Sequence, residues 1–127
     1  MAESSDLSRL AQSVRRALGA AVGSTGHVRL RNAGEGLTFV EQIRTAAKGY
    51  KDPQGKRNLD EVERQLRELE RKAIPETVQQ LLQKANANGA TRDLRAKVRQ
   101  SISQLLTQYR LSPADVGTNE STLRELG

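Results

Sequence analysis

Apolar residues recur at steps of three and four through most of this chain, the spacing that places them on one side of an α-helix. From about Ser5 to Val22, Leu7, Leu10, Val14, Leu18 and Ala21 form such a stripe, with Ser5 or Asp6 able to cap its start. Leu37, Val40, Ile43, Ala47 and Tyr50 predict a second helix beginning near Leu37 and ended by Pro53 and Gly55. A third opens at Asn58, with Glu61 completing a box-like cap, and its Leu59, Val62, Leu66, Leu69 and Ala73 alternate as in a heptad seam. Ile74-Pro75 predicts a break, after which Val78, Leu81, Leu82 and Ala85 line a fourth helix that Asn88-Gly89 stops. A single kinked rod from Asn58 to Asn88 is the alternative. Thr91 caps a fifth helix ending near Leu111, with Leu94, Val98, Ile102, Leu105 and Tyr109 on its apolar side.

Two stretches lack this periodicity. Residues 23–36, with Gly at 23, 26, 34 and 36, are too glycine-rich for a helix on propensity alone. Their centre, His27-Val28-Arg29-Leu30-Arg31, alternates apolar and basic residues, which suits an extended arm or a short strand. The expectation is a basic Gly-rich loop. Residues 112–127 form a tail, either short-helical or frayed: Ser112-Pro113-Ala114-Asp115 starts a turn, Asn119 to Leu126 suits one more short helix, and there is little in the segment to bury. The reading is therefore all-α: a bundle of about five helices over residues 1–111, containing a hairpin or coiled-coil-like element, followed by that tail.

Composition changes this picture in one respect. Only 28 of the 127 residues are Leu, Ile, Val or Phe, and there are one Phe, two Tyr and no Trp. Large rings normally supply much of the buried area, so a core without them is thin. A second copy of the chain or a bound partner is expected to supplement it, and a homodimer through Leu59, Val62, Leu66 and Leu69 is the simplest form.

The net charge of +6 attracts acidic partners over long range: nucleic acid, acidic proteins or anionic membrane surfaces. Basic and acidic blocks alternate along the chain. Residues 1–57 carry ten basic and five acidic side chains, residues 58–76 four and six, residues 77–111 six and one, and residues 112–127 one and three. The absence of Cys excludes disulfides and thiolate metal sites and fits a reducing compartment. No apolar run approaches the roughly 20 residues of a membrane span. The opening MAESSDLSRL has acidic residues and no continuous apolar run, unlike a signal peptide. A cytoplasmic or otherwise intracellular protein is expected.

Little in the chain points to catalysis. His27, the sole histidine, lies in the Gly-rich stretch and reads as a surface residue, and with no Cys and a single His the usual nucleophile–base pairings are nearly excluded. The acidic residues of the third helix precede Arg or Lys by four positions (Asp60–Arg64, Glu63–Arg67, Glu68–Lys72), the spacing of solvated ion pairs. No enzyme, cofactor or metal site is expected. The glycines match neither a P-loop nor a dinucleotide-binding fingerprint. Residues 116–123, VGTNESTL, are similar to the opening of an annexin repeat over those eight positions alone. Residues 111–115 with 121–123 resemble the turn of a repressor-type helix-turn-helix, about three residues too short for both helices.

The remaining signal is basic. At 100° per residue Arg92, Arg95, Arg99 and Arg110 fall to one side of the fifth helix's apolar stripe, spanning roughly 27 Å. Arg44, Lys48 and Lys51 repeat the pattern on the second helix. Guanidinium pairs bidentately with phosphate oxygens, and Gln100, Ser103, Gln104, Thr107 and Gln108 add groups able to reach phosphate or a 2′-hydroxyl. Scarce aromatics disfavour single strands bound by base stacking. The first expectation is thus a non-enzymatic protein that binds duplex nucleic acid by shape, double-stranded RNA before DNA, through Arg92, Arg95, Arg99, Arg110, Arg44, Lys48 and Lys51. In composition and architecture alone this resembles small helical viral proteins such as the nodavirus suppressors of RNA silencing, which would make it a viral accessory protein. The alternative is a helical adaptor that docks on a protein through the heptad seam.

Overall fold

A computed structural model describes the backbone of residues 2–127 and the side chains from Asp6 onward. Regular structure among the described residues is entirely helical: α1 (Ala2–Val22), α2 (Gly26–Ala46), α3 (Pro53–Asn86), α4 (Arg92–Tyr109) and α5 (Glu120–Leu126), with a 3-10 turn at Pro113–Val116. The chain divides into two compact units, Met1–Ala73 and Ile74–Gly127. That boundary falls inside α3. Pro75 lies within the same helix, so the rod is continuous where a break was expected. Proline removes one backbone donor and crowds the preceding turn.

In the first unit, α1 and α2 pack against each other across the connection at residues 23–25. Val14 of α1, Val40 of α2 and Leu66 of α3 meet in one buried cluster, and Leu18, Leu37, Phe39, Ile43, Leu59 and Val62 close around it. The heptad seam of the third helix is therefore largely occupied by its own chain, since Leu59, Val62 and Leu66 all belong to this core. Leu69 is half-buried.

The Gly-rich segment is not a loop, an arm or a strand. From Gly26 onward it forms the first half of α2. Two of its glycines have tertiary reasons. Gly26 opens the helix with φ +61°, a left-handed conformation that side chains resist. Gly36 is buried where three helices meet: a Cβ there would lie 2.7 Å from Leu66 Cδ2 and 3.3 Å from Ala17 Cβ. Ala17, Ala21 and Ala33 are also buried, so the α1–α2 pair is built on small residues that let backbones approach. Arg29, expected on a solvated arm, is instead 7% exposed. Its Nε donates to the Ala21 carbonyl at 2.9 Å and its Nη2 to that of Val22 at 3.3 Å, capping the end of α1. A cation at a helix C-terminus satisfies the last carbonyls and opposes the helix dipole.

The second unit holds the latter part of α3, α4, the 3-10 turn and α5. Thr91 caps α4 as expected, accepting from the Leu94 amide at 3.1 Å. The buried side of α4 is Val98, Ile102 and Leu106 rather than a stripe through Leu94 and Leu105. The tail does not fray. Ser112 and Asp115 make a reciprocal capping box, the Asn119 side chain accepts from the Thr122 amide, and Val116, Leu123 and Leu126 are buried. Gln79 of α3 donates to the carbonyls of Val116 and Gly117, anchoring the turn.

Candidate functional site

A half-open cleft of about 690 Å³ lies in the first unit. Leu7, Ala11 and Val14 of α1, Ile43 and Ala47 near the end of α2, and Leu59 and Val62 of α3 give it an apolar lining. Its rim is mostly basic: Arg15, Arg44, Lys48 and Lys56, against Asp52 and Asp60.

The local sequence explains how the rim is shaped. Beyond Ala47, Gly49 turns the chain with φ +96° and the Tyr50 amide donates back to the Ala47 carbonyl. Asp52 then starts α3, six residues ahead of the expected Asn58 cap. Its Oδ1 accepts the Gly55 amide at 3.0 Å, with Pro53 at the first helical position. Asp before Pro is a strong helix start, because the carboxylate takes an orphan amide and proline has none to lose. Gly55 leaves room for that carboxylate, since a Cβ would fall 2.4 Å from Asp52 Oδ2. Asn58 accepts from Gln54 instead.

Charges around the cleft differ in availability. Arg44 Nη2 donates to Asp60 Oδ1 at 2.8 Å and also to Glu63 Oε2. Those bonds, Asp60 first and then Glu63, push its guanidinium further above its ordinary pKa. Arg44 is thus held by carboxylates of its own chain. Arg15, Lys48 and Lys56 have no side-chain hydrogen bond or ion pair among the described residues, so their charges face the cleft mouth unneutralised. On the outer face of α3, Arg64 bridges Glu61 and Glu68 at 2.5 Å each, and Arg67 reaches Glu63 at 3.4 Å. Chiefly through Arg64, with help from Gln65, the Glu61 carboxyl is held down to about 2. Of the three expected acid–base pairs, Glu63–Arg67 forms as spaced, while Arg64 turns to Glu61 and Glu68.

The basic residues singled out from sequence differ in their local placement and exposure. Lys48 and Lys51 lie beyond the end of α2, in the connection to α3. Arg110 follows α4 as its left-handed cap, with φ 55°. Arg92 is exposed at the first position of α4. Arg95 points about 20° from the centre of the buried face at 100° per residue. Its Nη2 donates to the Glu125 carbonyl of α5 at 3.2 Å, while its Nε is buried without a hydrogen-bond partner among the described residues. Arg99 is half-buried, and a Cβ at Gly127 would lie 3.0 Å from its Cδ. Arg29 and Arg95 thus both reach carbonyls in the last turn of another helix. Counting guanidiniums on a helical wheel does not reveal that role.

Sequence reading missed Arg15, Lys56 and the cleft itself. The Asp52-Pro53 pair was the available signal, because it sets where α3 begins and so which residues face α1. Among the described residues, no group of three or more His, Asp or Glu is placed to hold a metal ion, and no helix is long and apolar enough to cross a membrane. No protein-family model, curated protein or solved structure matches the chain.

Proposed function

We propose that the protein is a non-enzymatic docking module whose first unit receives an acidic amphipathic helix from a protein partner. The observation that carries this is the pairing of an apolar, half-open cleft with a rim whose Arg15, Lys48 and Lys56 are unneutralised. Helix-in-groove recognition uses such a pairing: apolar anchors at i, i+3/4 and i+7 fill the groove, and flanking charges set orientation and partner choice. A half-open cleft leaves part of its occupant in solvent, as a docked helix tolerates, whereas a small ligand is normally buried over most of its surface. The adaptor reading therefore keeps Leu59 and Val62, the part of the heptad seam that lines the cleft, while Leu66 lies in the chain's own core.

The test is an amide-resonance titration with two synthetic helical peptides sharing leucine anchors, one flanked by Glu and the other by Lys. Saturable shifts confined to Leu7, Val14, Ile43, Leu59 and Val62 are expected with the acidic peptide, weakening as salt rises. Replacing Arg15 and Lys48 with Glu should remove them. Equal shifts with both peptides, or none with the acidic one, refute the proposal. A duplex RNA arm addresses the other reading: shifts at Arg92, Arg95, Arg99 and Arg110 with a steep salt dependence would favour nucleic acid. Concentration-dependent shifts at the same cleft without peptide would name a second copy of the chain as occupant.

A further inference from the structure

A second recess, of about 370 Å³, lies in the other unit between α4, the 3-10 turn and α5. Leu106, Pro113 and Leu123 line its apolar part. Arg99, Ser103 and Thr107, spaced by four along α4, enter from one side, and Arg124 of α5 enters from another. None of these four side chains has a hydrogen bond or ion pair among the described residues. That contrasts with Ser13, Thr38 and Thr45, whose hydroxyls donate to the carbonyl four residues back in their own helices. Two guanidiniums and two hydroxyls therefore line one recess with their donors unspent.

We infer that this recess binds a phosphomonoester group. Two guanidinium forks and two hydroxyls match the three terminal oxygens of a tetrahedral dianion. A carboxylate offers two oxygens in a plane and would leave donors on one side unused. A duplex backbone presents a row of diesters, whereas these donors line a single small recess. Glu120 also lines the recess and opposes an anion there, so the local balance is +1 and the ligand has to bring more than one negative charge to displace water from both arginines. The proposal is independent of the docking cleft and stands or falls without it.

The experiment follows the side-chain Nε–Hε resonances of Arg99 and Arg124 in the full chain as inorganic phosphate, O-phosphoserine, sulfate and acetate are added in turn. Phosphate and phosphoserine should give saturable shifts of both, with dissociation constants on the order of 1 mM. Acetate should bind at least several-fold more weakly, whereas sulfate, itself a tetrahedral dianion, should approach phosphate. Tighter binding of phosphoserine identifies a phosphorylated side chain as the source, and equal binding identifies free phosphate. Arg124→Gln should weaken phosphate about tenfold, the double change Ser103→Ala and Thr107→Val several-fold, and Glu120→Gln should tighten it. Arg92→Gln removes the same charge outside the recess and should change nothing. Equal shifts for all four anions, or equal loss in R92Q and R124Q, would reduce the effect to general charge screening and overturn the inference. So would the absence of tightening in E120Q.

Discussion

Gly34 and Gly36 sit two residues apart on α2, and alanine at the two positions should act in opposite directions. In a helix interior alanine is favoured over glycine by about 1 kcal/mol, because glycine loses more backbone entropy on folding. At Gly34 a Cβ meets nothing within 4 Å, so Gly34→Ala should gain about 0.5 to 1 kcal/mol. At Gly36 the same atom would stand 2.7 and 3.0 Å from the two Leu66 methyls and 3.3 Å from Ala17 Cβ. A leucine end could swing aside on a surface, but Leu66 is fully buried between Val14 and Val40. Overpacking of that kind costs about 1 to 3 kcal/mol. Set against the propensity gain, Gly36→Ala should lose about 1 kcal/mol net. With a urea slope of about 2 kcal/mol/M, the two midpoints should differ by roughly 1 M, one above and one below the parent protein. Urea titrations followed by helical circular dichroism on the three proteins measure this directly. If G36A equals or exceeds G34A in midpoint, the close approach of α1, α2 and α3 at Gly36 is wrong.

Further expectations concern other joints. Arg29→Met keeps most of the aliphatic stem but leaves the Ala21 and Val22 carbonyls without their charged donor; a loss of about 2 to 3 kcal/mol should appear in the same titration, and an unchanged midpoint would deny Arg29 its capping role. Pro75→Ala restores a backbone donor inside α3 and should stabilise by about 1 to 3 kcal/mol with increased helicity, whereas a lowered midpoint would mean that the proline ring is needed for packing. For Glu61 the folded pKa lies below the ordinary 4.5, so its ion pair with Arg64 contributes above that value and is lost as pH falls toward about 2. Carboxyl NMR should place its midpoint near 2, and Arg64→Ala should return it to the ordinary carboxylate range. A midpoint unmoved by R64A would refute the pairing.

The amino-acid pattern alone determined that the chain is helical, where α1 ends, where α4 starts and that a short helix follows Asn119. Those features rest on local chemistry: three-to-four spacing of apolar residues, and side chains that cap the backbone beside them. Other features depended on distant parts of the chain. Residues 26–36 become helix although glycine disfavours it, because the helix buries Arg29, Ala33 and, one turn on, Val40 in the core of the first unit. Arg29 and Arg95 leave the solvent to reach carbonyls of other helices, which no helical wheel can foretell. The buried face of α4 turns toward Leu106, about 40° from the stripe through Leu94 and Leu105, because α5 folds back and buries Leu123 and Leu126. The candidate cleft is entirely tertiary, since its lining comes from α1, α2 and α3 and only packing brings their side chains to one place. Local propensity is worth about 1 kcal/mol per residue, and burial of a large apolar side chain is worth more, so where the two disagree the packing decides.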